Sequence, residues 1–83
     1  MKAIKINRDE LIQHLDNMNL NKVEIQFGWH SFFIDHENTS FRVLRIWHHG
    51  NEYNQKVFSK LNTEDVVKLI DMNYNNRAYL KYL

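Results

Sequence analysis

The spacing of apolar residues predicts a helix near the start of the chain. Leu11, Leu15 and Met18 recur at intervals of three or four and so form one apolar helix face. Asn7 precedes this run, and Glu10 lies three positions after Asn7, which is the spacing of a capping box at a helix N-terminus. We expect the helix to end within the stretch "NMNLN", because asparagine tolerates left-handed backbone geometry.

The period then changes to two, which is typical of half-buried β-strands. Val23, Ile25 and Phe27 alternate with charged or amide residues in "KVEIQF". Gly28 follows, and it fits either a bulge within one long strand or a tight turn between two strands. Two more extended runs, "SFFIDH" and "FRVLRIWH", are separated by a polar turn.

Gly50 and Asn51 predict a two-residue β-hairpin turn, because glycine at the first position suits a type II′ turn. With this turn, Arg45 lies opposite Lys56, and alternation divides the hairpin into two faces. The face predicted to enter the core carries Leu44, Ile46, Tyr53 and Val57, with His48 at its edge. The face predicted to point outward carries Arg45, Trp47, His49 and Lys56.

The last third of the chain predicts a second helix and an ambiguous tail. Asn62 or Thr63 caps the helix "NTEDVVKLIDM". Its apolar face contains Val66, Val67, Leu69 and Ile70. The tail "AYLKYL" fits either a short final helix or an edge strand. We therefore predict one α+β domain, residues 1–83, in two layers: an antiparallel β-meander of three or four strands, with N-terminal and C-terminal helices packed on one face.

The composition narrows the class of protein. Eleven Lys and Arg residues balance ten Asp and Glu residues, which gives a net charge of +1 with no long block of either sign. This balance argues against a polybasic nucleic-acid tail and against an acidic DNA mimic. The chain has no cysteine and no stretch near the roughly 20 apolar residues of a membrane span, so we expect a cytoplasmic protein. Its many asparagines and lysines indicate a gene from an AT-rich bacterium or its phage.

Two adjacent histidines beside a tryptophan, in "RIWHHGNEY", raise the question of a metal or acid/base site. Adjacent strand residues point to opposite faces, so His48 and His49 are poorly placed to share one ion, and no cysteine or nearby carboxylate completes a tetrahedral set. The serines lack a nucleophile-elbow motif, and two glycines are too few for a phosphate-binding loop. We therefore expect a protein that is not an enzyme and that holds no metal or cofactor.

The outward face of the hairpin is the candidate binding surface. Arg45 opposite Lys56 is a like-charge pair that costs free energy unless a partner or solvent relieves it. Arginine, tryptophan and tyrosine are the residue types that anchor interfaces. The residues predicted to bind a partner are Arg45, Trp47, His49, Glu52, Lys56, Arg77, Tyr79 and Tyr82. The alternative is structural, with Phe41, Val43, Trp47 and Phe58 in a second small cluster under the C-terminal tail.

Basic groups interleaved with an aromatic ring also fit a small nucleic-acid-binding regulator. Double-stranded-RNA-binding domains share the order helix, three strands, helix, but they begin their last helix with lysines. Here that helix begins with "TEDVV", so its charge has the opposite sign. Nucleic acid is therefore the second choice of partner, after a larger protein or ribonucleoprotein, and a homodimer through an open strand edge stays open as well.

The layout from "INRDELIQHL" through "RVLRIWHHGNEY" resembles that of small phage-encoded anti-CRISPR inhibitors. These are compact proteins with the order helix, three strands, helix, and one of them has a turn of the type Gly50-Asn51-Glu52-Tyr53. The resemblance implies a non-enzymatic protein that binds a CRISPR effector nuclease and blocks DNA recognition or cleavage. The DNA-mimicking members are strongly acidic, whereas this chain carries +1. Inhibition would therefore use a mixed or basic face that locks the effector or touches its guide RNA.

Overall fold

The part of the chain that the structure describes forms one antiparallel sheet and two helices. The computed structural model describes residues 3–17, 22–70 and 78–83, apart from the side chain of His49. The elements within these ranges are β1 (Ile4–Ile6), α1 (Arg8–Asn17), β2 (Val23–Phe27), β3 (His30–Glu37), β4 (Ser40–His49), β5 (Glu52–Leu61), α2 (Thr63–Ile70) and β6 (Ala78–Tyr82). The strand order is β1-β6-β2-β3-β4-β5. The predicted α+β class is confirmed, but the described part of the sheet has six strands, not three or four.

Both helices begin with a pair of reciprocal capping bonds. The Asn7 N–H donates to Glu10 Oε1 at 3.1 Å, and the Glu10 N–H donates to Asn7 Oδ1 at 2.9 Å, which confirms the predicted capping box. At α2, Asn62 and Asp65 exchange the same two bonds at 3.1 and 2.7 Å. Asn62, not Thr63, is therefore the cap of α2. The rest of "NMNLN" after residue 17, with Met18, lies outside the described residues.

Strands β2 to β5 form a meander joined by two-residue turns. The turns are Gly28-Trp29, Asn38-Thr39 and Gly50-Asn51. The first residue of each turn has a positive φ, of 60°, 59° and 62° respectively, and the second does not, which is the type II′ pattern. Gly28 therefore makes a tight turn between two strands and not a bulge within one strand.

The C-terminal strand β6 lies inside the sheet, between β1 and β2. Leu80 pairs with Ile4 on one side and with Ile25 on the other. Ala78 and Leu80 are fully buried, whereas Tyr79 points to the opposite face. The tail is thus a strand, which was one of the two predicted alternatives. It is not an edge strand, because the three-residue strand β1, which the sequence analysis did not predict, pairs with its outer side.

Both helices pack on the same side of the sheet and share one core. Leu11 and Leu15 of α1 are buried, as are Val66, Val67 and Ile70 of α2, which confirms the apolar helix faces predicted for these residues. The sheet contributes Ile6, Val23, Ile25, Phe32, Ile34, Phe41, Val43, Ala78 and Leu80. Because strand residues alternate between faces, these sheet residues define the helix-bearing side, and the intervening residues define the other side.

The β4–β5 hairpin has the predicted register but the opposite orientation. Arg45 pairs with Lys56, as the turn at Gly50 requires. The residues predicted to enter the core instead lie on the side that α1 and α2 do not cover: Leu44, Ile46, Tyr53 and Val57. Tyr53 is 57% exposed and Val57 is 50% exposed. The prediction of these residues as core is therefore wrong.

Strand β4 is apolar on both faces, so alternation alone does not determine which face enters the core. Val43 lies opposite the buried Ile34, in the row that the helices cover. A bulge in β5 extends this row, because two residues of β5 oppose one of β4 and Leu61 comes opposite Phe41. The structural alternative is partly right: Phe41 and Val43 are buried and Phe58 packs against them, but in the main core and not in a separate cluster.

Candidate binding surfaces

The helix-free side of β3, β4 and β5 carries a row of apolar side chains that we call the open face. The open face consists of Phe33, Leu44, Ile46, Tyr53 and Val57. Phe33, Leu44 and Val57 lie directly opposite one another across the three strands. An antiparallel sheet with one solvated side normally carries polar residues there. The open face departs from this pattern and leaves apolar surface available for contact.

A cleft of about 410 Å³ lies at one end of the open face. Phe33 and Leu44 line it, together with the cations Lys22 and Arg42 and the carboxylate Asp35. Asp35 and Arg42 are opposite each other in the β3–β4 ladder, but their side chains form no ion pair within 4.0 Å. The charged side chains of the lining are thus two cations and one carboxylate, next to apolar side chains.

A second surface, on the helix-bearing side, combines cations with aromatic rings. We call it the basic-aromatic cluster, and it consists of His30, Arg45, Trp47, Lys56 and Phe58. Three neighbouring strands assemble it, because Trp47 lies opposite His30 and Arg45 lies opposite Lys56. Arg45 and Trp47 are half-buried, and Lys56 is exposed. The cluster is therefore accessible from solvent.

Arg45 is the centre of this cluster. Its Nε and Nη2 atoms donate to Nδ1 of His30 at 3.3 and 3.2 Å. Its guanidinium carbon lies 4.7 Å from the centroid of the Trp47 ring and 5.8 Å from that of Phe32. Burial, and to a smaller extent the charge of Arg45, hold the pKa of His30 below its ordinary value of 6.5. His30 is therefore neutral at pH 7, so it orients the guanidinium without neutralising its charge.

Lys56 extends the positive charge to the neighbouring strand. Its ammonium nitrogen lies 5.2 Å from the centroid of the Phe58 ring. Lys56 and Arg45 thus each lie over an aromatic ring, and this attraction, together with solvent, offsets the repulsion predicted for the pair. Neither cation has a carboxylate within 4.0 Å among the residues that the structure describes. The cluster consequently carries positive charge that no described side chain compensates.

Some of the residues predicted to bind a partner come together in this cluster and others do not. Arg45, Trp47 and Lys56 share one surface, while Glu52 pairs with His49 through the main chain at the end of the hairpin. Arg77 and the side chain of His49 lie outside the described residues. His30 was not among the residues predicted for this surface. The alternation of "HSFFIDH" places His30 and Phe32 on one face, but only the β3–β4 register brings His30 to Trp47 and Phe32 to Arg45.

The two tyrosines of the tail lie away from the hairpin cluster. Tyr79 is on the helix-free side of β6. Tyr82 is on the helix-bearing side, where its hydroxyl lies 2.7 Å from Nδ1 of His14 in helix α1. The structure therefore does not join Tyr79 or Tyr82 to Arg45 and Trp47 in one surface. The contact of Tyr82 with His14 ties the C-terminal strand to the first helix.

The described residues contain no group of three or more histidine, aspartate or glutamate side chains that could hold a metal ion. No helix in the described ranges is long and apolar enough to cross a membrane. Comparison of the chain with protein-family models, with curated proteins and with solved structures finds no match.

Proposed function

We propose that this chain is a non-catalytic binding protein that acts by occupying the surface of a larger protein through its open face. The observation that supports this best is the row of Phe33, Leu44 and Val57 across three strands, on the side that no described helix covers. Single exposed apolar residues are common, but a contiguous apolar row with a polar rim is typical of protein contact sites.

The cleft at the end of the open face indicates the chemistry of the partner. Phe33 and Leu44 provide an apolar lining for an aliphatic or aromatic side chain. Among the side chains of the lining, the cations Lys22 and Arg42 outnumber the carboxylate of Asp35, so these side chains together favour a negatively charged group. The complementary partner is a protein that presents an apolar anchor beside one or more carboxylates. Anchors of this kind, buried in a pocket with a polar rim, provide most of the binding energy of an interface.

The proposed surface lies on the face of the hairpin opposite to the one that the sequence indicated. The resemblance to anti-CRISPR inhibitors makes a CRISPR effector nuclease the first partner to test. That resemblance depends on a layout with three strands, whereas the sheet here has six among the described residues. The effector is therefore a candidate partner, and the case for protein binding depends on the open face alone.

Val57→Arg tests the open face, because it places a long cation in the apolar row without disturbing the core. Gln13→Arg is the matched control, since Gln13 is exposed on α1 in the other layer. The tagged wild-type protein and both variants would capture proteins from the nuclease-treated lysate of an AT-rich bacterium that carries an active CRISPR system. Each captured protein, and the purified effector, would then be titrated against the three proteins by calorimetry.

We expect at least one captured protein, or the effector, to bind the wild type and Gln13→Arg with equal affinity. The same protein should bind Val57→Arg at least about tenfold more weakly. Equal affinity for all three proteins would exclude the open face as the contact. Loss of every partner on nuclease treatment would also contradict the proposal. Sedimentation of the chain alone would test for self-association through the open face. A homodimer that Val57→Arg dissociates would mean that the open face binds a second copy of the chain.

A further inference from the structure

We propose that the basic-aromatic cluster is a second binding site, which takes a short segment of single-stranded nucleic acid. Its phosphates would contact Arg45 and Lys56, and a base would stack on Trp47. The cluster is on the opposite side of the sheet from the open face. Nucleic-acid binding at the cluster is therefore independent of protein binding at the open face. Either proposal can be disproved without affecting the other.

The hydrogen bonds of Arg45 favour an anionic ligand. A guanidinium has five N–H groups, and Arg45 directs its Nε and Nη2 groups to the neutral ring of His30. A carboxylate in the place of His30 would hold the guanidinium and also cancel its charge. The imidazole holds it and leaves the charge available. The remaining N–H groups can then bind phosphate oxygens in charge-assisted hydrogen bonds.

The position of Lys56 adds a second contact for the same anionic chain. Lys56 is directly opposite Arg45, and opposed residues of antiparallel strands have Cα atoms roughly 5 Å apart. Its side chain is exposed and has no carboxylate within 4.0 Å in the described part of the chain. Two uncompensated cations side by side attract a polyanion more strongly than either cation alone.

The aromatic rings favour a nucleic acid over an acidic protein segment. One face of the Trp47 ring is in contact with Arg45, and Trp29, next to His30 in the β2–β3 turn, is 78% exposed. An acidic segment would satisfy the two cations but leave these indoles without a stacking partner. Bases stack on such rings only where they are unpaired, so the ligand is a single strand and not a duplex.

The small number of cations predicts a weak dependence on salt. With two phosphates neutralised, the logarithm of the binding constant should fall against the logarithm of the salt concentration with a slope of about −1.4. A slope this small distinguishes a local site from a polybasic track, and it agrees with a net charge of only +1.

Fluorescence anisotropy at low salt would measure the binding of a labelled single strand of about 12 nucleotides, as DNA and as RNA. The same strand annealed to its complement, and a labelled poly-glutamate chain, would be titrated separately for comparison. Arg45→Gln and Arg8→Gln form a matched pair, because each removes one positive charge, but Arg8 is exposed at the start of α1 and belongs to neither proposed surface. Lys56→Gln and Trp47→Leu test the second cation and the stacking ring.

His30→Asn and His30→Asp separate the charge of the site from its shape. The two side chains have the same size, and both can accept a hydrogen bond from Arg45, but only aspartate neutralises the guanidinium. We expect His30→Asn to retain most of the binding and His30→Asp to lose it. Circular dichroism would confirm that the two variants are equally folded, and equal binding by the two would contradict the proposal.

We expect Arg45→Gln, Lys56→Gln and Trp47→Leu each to weaken single-strand binding by roughly five- to 150-fold, and Arg8→Gln to leave it unchanged. Equal losses for Arg45→Gln and Arg8→Gln would mean that the basic-aromatic cluster is not the binding site. No detectable binding by the wild type at low salt would overturn the proposal. Equally tight binding of poly-glutamate, with the same response to the variants, would assign the cluster to an acidic protein ligand instead.

Discussion

Lys60 is a single residue in an unfavourable backbone conformation. Its φ is 59°, at the bulge of β5 that brings Leu61 opposite Phe41. A left-handed conformation costs a non-glycine residue about 1–2 kcal/mol. We predict that Lys60→Gly raises the free energy of unfolding by about 0.5–1 kcal/mol, because the strain released exceeds the extra chain entropy of glycine. Urea denaturation would measure this change, with Ser59→Gly as a control that lowers stability by about 0.5–1 kcal/mol. A less stable Lys60→Gly would contradict the prediction.

His30 gives stability a dependence on pH with a definite sign. Its pKa in the folded chain is below 6.5, so between that pKa and 6.5 the unfolded chain binds more protons than the folded chain. Stability due to the neutral ring is therefore fully present above pH 6.5 and is lost as the pH falls through the folded pKa. Arg45 is the charged group that adds to the burial effect. We predict that the free energy of unfolding declines less steeply below pH 6.5 in His30→Asn than in the wild type. Parallel pH profiles of the two proteins would contradict this prediction.

The N-terminal cap of helix α2 can be tested by substitutions at two adjacent residues. The side chain of Asn62 accepts from the N–H of Asp65, whereas the hydroxyl of Thr63 lies 3.3 Å from Oδ1 of Asp16 at an exposed site. We predict that Asn62→Ala lowers the free energy of unfolding by about 1 kcal/mol. Thr63→Ala should lower it by less than about 0.5 kcal/mol. Thermal and urea denaturation would measure both, and the reverse order would make Thr63 the effective cap.

The orientation of the β4–β5 hairpin can be tested by substitutions at two adjacent residues of β4. Val43 is fully buried, while its neighbour Leu44 is on the open face. We predict that Val43→Asp prevents folding, because an unpaired buried carboxylate costs several kcal/mol in a domain with only about 5–15 kcal/mol of total stability. Leu44→Asp should lower the free energy of unfolding by less than about 1 kcal/mol, because its carboxylate can reach solvent. Circular dichroism and the dispersion of the amide NMR spectrum would distinguish the two, and an unfolded Leu44→Asp would restore the orientation that the sequence indicated.

These elements show which parts of the structure local sequence can predict. The capping box of Asn7 and the register around Gly50 were both predictable, because each depends on residues within a few positions of one another. The face of β4 was not, because Val43 and Leu44 are both apolar and the choice depends on the distant helices. The basic-aromatic cluster was predicted only in part for the same reason: Arg45 and Lys56 share a hairpin, but His30 joins them through a register that the sequence left open.

The sheet separates two surfaces of different chemistry. The helix-bearing side holds the core and the basic-aromatic cluster, and the other side holds the open face. The other part of the sheet depends on the pairing of β6 with β1 and β2, two strands that are far from β6 in sequence. Contacts so distant in sequence leave little local signal, which is why the three-residue β1 and the interior position of β6 were not predictable.

Strand β6 therefore makes the last few residues of the chain essential to the fold. Leu80 is fully buried between β1 and β2, whereas Tyr79 is 47% exposed on the other side of the sheet. We predict that Leu80→Ala lowers the free energy of unfolding by about 2–5 kcal/mol, from lost burial and the cavity left behind. Tyr79→Ala should lower it by less than about 1 kcal/mol, since an exposed side chain loses little burial. Urea denaturation of the two full-length variants would measure both values. Equal losses would mean that the tail packs loosely on the molecule, and β6 could not then be the strand that joins β1 to β2.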